Sequence, residues 1–211
     1  MKKFKSLLLL TSVILGCSLI FSCNNADKKT GTSTYSDTSK VDNTTNKMEP
    51  LVDTMTVPTV THAEATISGT YPDTAVNGLA TFETTKDGQV KMTLNITVAA
   101  KANKTVAVHI HEHGDCADNG NASHGHWNPG NTQHGKWGSA SFHAGDIGNV
   151  KLNAKGKGTL TLTTNLWTLG GMANKNILGK AMIVHGGEDD YTTQPSGNAG
   201  SRIGCGLISP K

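Results

Sequence analysis

Thr105-Val-Ala-Val-His-Ile-His111 decides the fold class, because apolar and imidazole side chains alternate along it. A strand sends successive side chains to opposite faces, so Val108 and Ile110 point to a core while His109 and His111 leave together from the other face. Working outward, period-two or β-rich runs predict strands at Ala65–Tyr71, Gly78–Thr85, Gln89–Ala99, Thr105–His111, Asp146–Asn153, Gly158–Thr164, Lys180–His185 and Ile203–Ile208. Turn signals such as Lys86-Asp-Gly-Gln89 and Lys155-Gly-Lys-Gly158 separate them. Helical periodicity is nowhere sustained over ten residues, and the frequent threonines and valines suit strands. The expectation is an all-β sandwich or barrel. Two long segments break the rhythm, Glu112 to about Ala144 and Gly186 to Ser201. Loops of that length in a compact domain are usually functional.

Eight of the nine histidines lie in the first of these segments, at its edges, or just before the second. His109 and His111 supply two imidazoles from one strand face; His126, His134 and His143 follow, with Asp146 three residues after the last. His185 closes the run Ala181-Met-Ile-Val-His. Neutral imidazole is the commonest metal ligand. An all-imidazole set suits copper(II), and a mixed His/Asp set closing tetrahedrally suits zinc. The HExxH zinc-protease pattern is absent, since His111-Glu112 continues as His113-Gly-Asp115.

Composition agrees with one modest core. The 211 residues are 36% hydrophobic, 5% aromatic and 17% charged, with 24 glycines and 6 prolines. Those proportions exclude a polytopic membrane protein, a coiled coil and a wholly disordered chain. The formal charge of +3 is too small for the concentrated basic face of a nucleic-acid binder, so no nucleic-acid partner is expected. Lys2, Lys3 and Lys5 account for the excess, and without them basic and acidic side chains are equal in number.

Those three lysines open residues 1–22, whose apolar run from Ser6 to Ser22 reads as a secretory signal and not as part of a fold. The run is shorter than the roughly 20 residues of a membrane-spanning helix. It resembles the signal of bacterial lipoproteins, which ends at a cysteine that carries the lipid. Cys23 in Ile20-Phe-Ser-Cys is preferred over Cys17 because it leads directly into polar sequence. Residues 23–60 are then a lipidated N-terminus and polar tether, with Leu51–Val60 a short apolar patch interrupted by Pro58. Residues 61–211 form the folded domain. The expected place is an exported, periplasmic or cell-envelope lipoprotein bound to a lipid membrane.

Several stretches together carry a resemblance. Ala107-Val-His-Ile-His-Glu-His-Gly-Asp115, His126-Trp-Asn-Pro129, His134-Gly135, His143-Ala-Gly-Asp-Ile-Gly-Asn149, Val184-His185 and Gly197-Asn-Ala-Gly-Ser-Arg-Ile-Gly-Cys205 resemble copper–zinc superoxide dismutase, in order and in ligand spacing, from about residue 63 to 209. The resemblance implies an eight-stranded Greek-key β-barrel. It implies copper at His109, His111, His126 and His185, and zinc at His126, His134, His143 and Asp146, with His126 bridging the two metals. It implies disproportionation of superoxide to peroxide and dioxygen by copper cycling between +2 and +1, with zinc structural. His126 would leave copper on reduction and carry a proton to the product. Arg202 would guide and hold the superoxide anion, as a permanently charged guanidinium suits.

The same resemblance pairs Cys116 with Cys205 in a disulfide, which suits an exported chain. It makes Asp189 the carboxylate linking a copper histidine to a zinc histidine, expected as His111 and His134, with Asp190 as competitor for that role. The short second loop, without a lysine-rich run, looks like the bacterial branch, in which the subunit interface differs; monomer and homodimer both stay open. His113 and His124 fit neither metal set and are either incidental loop residues or auxiliary copper contacts. His62 has no assigned partner, and Ala107 stands where the family usually has glycine. A rival reading is a protein of this fold that buffers or delivers metal without turnover; Arg202 weighs against it.

Overall fold

The structure, a computed structural model, describes residues 60–211, so the leader, Cys17, Cys23 and the tether up to residue 59 lie outside the described residues. Strand β3 (Val90–Val98) shows how the sequence makes this fold: Val90, Met92, Leu94, Ile96 and Val98 are buried, while Lys91 and Asn95 between them are exposed. The same alternation runs through β1 (His62–Gly69) and β2 (Val76–Thr84), and all three pair antiparallel in sequence order. The remaining strands are β4 (Thr105–His111), β5 (Gly148–Lys151), β6 (Lys157–Thr164), β7 (Ala181–His185), β8 (Arg202–Leu207) and the two-residue β9 (Ser209–Pro210).

Spatial order is β5-β4-β7-β8-β1-β2-β3-β6, with β9 added beside β1. The connections from β3 to β4 and from β6 to β7 cross between halves, the non-local wiring of a Greek key. The terminal strands β5 and β6 are joined by a tight turn in which Asn153 N–H donates to Lys157 O at 2.9 Å, which brings the eight-stranded antiparallel sheet nearly to closure. Phe82, Ile67, Met92, Leu94, Ile110 and Met182 are among the fully buried side chains that fill it.

Every strand except β4 departs from its expected limits by one to three residues, and for β1, β5 and β8 the local reason is visible. β1 starts at His62 and ends at Gly69, because Tyr71–Thr74 form a turn closed by Thr74 N–H on Tyr71 O. β5 is only four residues long. Asp146 and Ile147 fall outside it, since Asp146 N–H and the Asp146 carboxylate bond back to the His143 main chain, and Gly148 follows at a φ of 108°. β8 ends at Leu207, and the chain re-pairs with β1 as β9.

β4 and β7 are buried on both faces. Val106, Val108, Ile110, Met182 and Val184 face the barrel core. Their opposite faces carry His109, His111 and His185, and the two long loops cover them.

Candidate metal centre

The sheet register sets the first three histidines side by side. His109 opposes Ile183 and His111 opposes Ala181 across the β4–β7 pair, while His185 ends β7 opposite Arg202, where the register is irregular. The first long loop, between β4 and β5, doubles back along β4. Trp127 N–H donates to Ile110 O at 2.8 Å, Ile110 N–H to Gly145 O at 2.9 Å, and Glu112 N–H to Gly125 O at 3.0 Å. His126 thereby bridges to His111, and Gly145 lies so near the Ile110 carbonyl that a side chain there has no room.

Two clusters result, all buried: His109, His111, His126 and His185, and then His126, His134, His143 and Asp146. In each, one ligand atom from every member lies within 4.8 Å of the others. His126 belongs to both.

The ring nitrogens sort into held and free. His111 Nδ1 faces His124 O at 2.8 Å, His185 Nδ1 faces Gly200 O at 3.2 Å, and His143 Nε2 faces Thr132 O at 3.1 Å. His109 Nε2 and His134 Nε2 each lie 2.9 Å from an oxygen of Asp189. Each outer nitrogen thus has an acceptor that fixes the ring and its tautomer, as in built metal sites. The inner nitrogens lack such partners. His109 Nδ1, His126 Nε2, His134 Nδ1 and His143 Nδ1 are buried without a hydrogen bond, and His111 Nε2 and His185 Nε2 face each other at 3.4 Å. Orphaned buried nitrogens cost free energy unless something binds them. Asp146 closes the second cluster, with carboxylate oxygens 2.8 Å from His126 Nδ1, 3.0 Å from His134 Nδ1 and 3.1 Å from His143 Nδ1. Four imidazoles fit copper(II), and three imidazoles with one carboxylate fit zinc.

Electrostatics favour the ligand forms. Burial first, then neighbouring histidines, holds His109 and His111 well below the usual histidine range, and burial also lowers His126. Burial lowers His185 to about 4. Burial alone would raise Asp146, but hydrogen bonds from the His126 ring and from the His143 backbone N–H outweigh it and keep the carboxylate ionised. A pH dependence follows for the metal-free protein. His185 titrates near 6.5 when unfolded and near 4 when folded, so below pH 6.5 the unfolded chain binds a proton that the folded chain refuses. Its stability contribution is complete above pH 6.5 and falls as pH drops, by on the order of 3 kcal/mol at pH 4, with His109 and His111 adding in the same direction. The melting temperature of metal-free protein should therefore drop between pH 7 and pH 4.5; a flat profile would contradict this ionisation scheme.

Asp189 requires a correction. Its two oxygens join His109 to His134, not His111 to His134, because the outer nitrogen of His111 is already taken by the His124 carbonyl. Asn149 holds the Asp189 main chain through two hydrogen bonds of 2.8 and 2.9 Å. Asp190 plays no part in that link and instead accepts from the Thr192 and Thr193 backbone and hydroxyl groups, in an exposed turn.

Sequence reasoning overlooked Gln194. Its side-chain oxygen accepts from His134 N–H at 2.9 Å, and its amide donates to His134 O at 3.0 Å, clasping the backbone of one cluster residue from the second loop. Nothing in a lone glutamine marks such a role. Gly197, at φ 67°, lets that loop lie directly on the Asp189–His134 contact. Gly197→Ala should break this contact and speed zinc release from metal-loaded protein by roughly 10-fold or more, measured by chelator competition. An unchanged rate would show that the loop adapts.

Arg202, the chain's only arginine, is half-buried beside His185. Its guanidinium donates to Gly120 O at 2.7 Å, Asn121 O at 3.3 Å and Ser123 Oγ at 3.1 Å, within the short 3-10 segment Asp118–Ser123. The Cys116–Cys205 disulfide ties the chain just before that segment to β8. His113 and His124 are exposed and outside both clusters, and His62 is exposed at the start of β1.

The family model described as copper/zinc superoxide dismutase (SODC) matches residues 76–208. Superoxide dismutase [Cu-Zn] 1 of Aquifex aeolicus is 39% identical over 111 residues, 50% of this chain and 65% of that protein. Superoxide dismutase [Cu-Zn] of Podospora anserina is 36% identical over 143 residues, 64% of this chain and 91% of that protein. Among solved structures, the clock protein EA4 aligns with a TM-score of 0.63 at 31% identity, over 72% of this chain and 96% of that one. A double mutant of a SOD-like protein from Bacillus subtilis aligns with a TM-score of 0.62 at 31% identity, over 69% and 96%. The shared barrel, the family match across most of it, and a relative matched almost end to end agree: the chain belongs to the copper/zinc superoxide dismutase family.

Proposed function

We propose that this protein disproportionates superoxide to hydrogen peroxide and dioxygen, with copper held by His109, His111, His126 and His185 and zinc by His126, His134, His143 and Asp146. The observation that carries the reading is the shared His126, whose Nδ1 faces Asp146 while its Nε2 is buried and unpartnered among the other three imidazoles. When bound, copper supplies one-electron exchange with the substrate and zinc supplies a fixed positive charge.

The protein's own groups do the rest. Asp189 and the carbonyls of His124, Gly200 and Thr132 fix five of the rings. His126 is the one cluster histidine that neither a backbone carbonyl nor Asp189 restrains, so its Nε2 is the atom free to take up a proton and give it to the product. Arg202, braced by the Gly120 and Asn121 carbonyls, presents a fixed charge to a small anion beside His185. Metal-loaded protein should remove superoxide catalytically, and absence of turnover in the fully loaded form would leave only a metal-binding protein. Arg202→Ala should lower kcat/KM by roughly 10- to 100-fold with metal content unchanged, the range expected for lost charge steering.

The proposed setting is extracytoplasmic. The basic and apolar leader ending at Cys23, followed by a polar tether, supports a lipidated cysteine that anchors the domain to a membrane, as monomer or homodimer. Cys23→Ser should release the protein from the membrane fraction into the soluble one; retention on the membrane would refute this anchor.

A further inference from the structure

His113 and His124 belong to neither buried cluster, and neither ring has a hydrogen-bond partner among the described residues. Both are exposed, on facing arms of the first loop. Their backbones are fixed: His113 N–H donates to Ser123 O at 3.1 Å, and His124 N–H donates to Asn121 O at 3.1 Å. The His124 carbonyl accepts from His111 Nδ1 at 2.8 Å, which ties the pair to the buried site.

The ring centroids of His113 and His124 are 4.3 Å apart, with planes at 63°. Ring pairs around the all-imidazole cluster range from 3.9 Å for His109 and His126 to 6.1 Å for His126 and His185. Two imidazoles bound side by side to one ion at about 2.0 Å per nitrogen place their centroids about 4.5–5 Å apart. The exposed pair therefore needs little movement to chelate. A second observation concerns the backbone. His124 has φ 61° and ψ −144°, a conformation that belongs almost wholly to glycine and costs a bulkier residue on the order of 1–3 kcal/mol. The ring placed there is exposed and meets His113, so core packing does not account for the residue.

We propose that His113 and His124 form a separate surface site for a transition-metal ion, copper(II) foremost. Two imidazoles with water completing the shell, and no carboxylate among the donors, favour copper(II) over the other divalent ions of the first row. The test uses protein carrying one zinc and one copper in the buried clusters, freed of excess metal, and titrated with further copper(II). Equilibrium dialysis and EPR are read on the unaltered protein, on His113→Ala and on His124→Gly. The unaltered protein should take up one more copper ion, with an EPR spectrum distinct from that of the buried one. Both variants should lose that ion and keep the buried metals. His124→Gly should also melt at a higher temperature, because glycine adopts this backbone conformation without strain. Absence of further uptake by the unaltered protein overturns the proposal. So does uptake that survives both replacements, which would place the ion elsewhere, His62 included.

Discussion

His126→Ala should weaken both metals at once, by roughly 100-fold or more at each cluster, since loss of even an outer partner of a ligand costs 10- to 100-fold. The reason is geometric. His126 is the single residue common to both ligand sets, with Nδ1 2.8 Å from Asp146 and Nε2 buried without a partner. Its ring lies 3.9 Å from that of His109 on one side and 5.3 Å from that of His134 on the other, so its removal leaves three donors in each cluster. Two controls separate the clusters: His185→Ala should weaken the all-imidazole cluster alone, and His143→Ala the Asp146 cluster alone. The main chain at position 126 pairs with His111, a contact that alanine keeps, so the loop should still close. Copper and zinc affinities, measured by chelator competition in all three variants, decide the matter. If His126→Ala lowers only one affinity, the two clusters do not share a ligand.

The parts of this site that could be read from the sequence are those in which chemistry and period coincide. In Thr105–His111 the residues facing the barrel are apolar and those facing the loops include imidazoles, so the alternation reports the fold and the site together. His126, His134, His143 and Asp146 stand out because four residues able to ligate a metal crowd into one loop. The sequence does not show how the rings are turned. His109 and His111 leave the same strand face, and nothing in their spacing tells which one presents its outer nitrogen to Asp189. That depends on the His124 carbonyl, held by a backbone conformation that histidine rarely adopts. Gln194 is hidden for a similar reason, since its role is to pair with the main chain of His134, which carries no residue signature. Strand ends differ from expectation where a side chain overrides propensity, as when the Asp146 carboxylate turns back to the His143 backbone and shortens β5.

The Cys116–Cys205 disulfide should be the largest single contributor to stability among the covalent and polar features of the domain. It closes a segment of 89 residues, for which the chain-entropy model gives about 4–5 kcal/mol. Replacing both cysteines by serine should then lower the melting temperature of metal-free protein by roughly 10–20 °C, given about 2–4 °C per kcal/mol for a domain of this size. The loss should reach the site as well. Cys116 leads directly into Asp118–Ser123, whose Gly120 and Asn121 carbonyls and Ser123 hydroxyl grip the Arg202 guanidinium, while Cys205 sits on β8 three residues after Arg202. The disulfide is therefore one side of a small frame whose other side is the arginine's own hydrogen bonds. Opening it lets the segment drift, and Arg202 loses its brace without being mutated. In metal-loaded protein the double serine variant should thus lower kcat/KM in the same direction as Arg202→Ala, and combining the two should cost less than the sum of their separate effects. Full additivity would mean that the disulfide stabilises the barrel without positioning the arginine. An unchanged melting temperature would mean that the loop is held by its contacts along β4 alone.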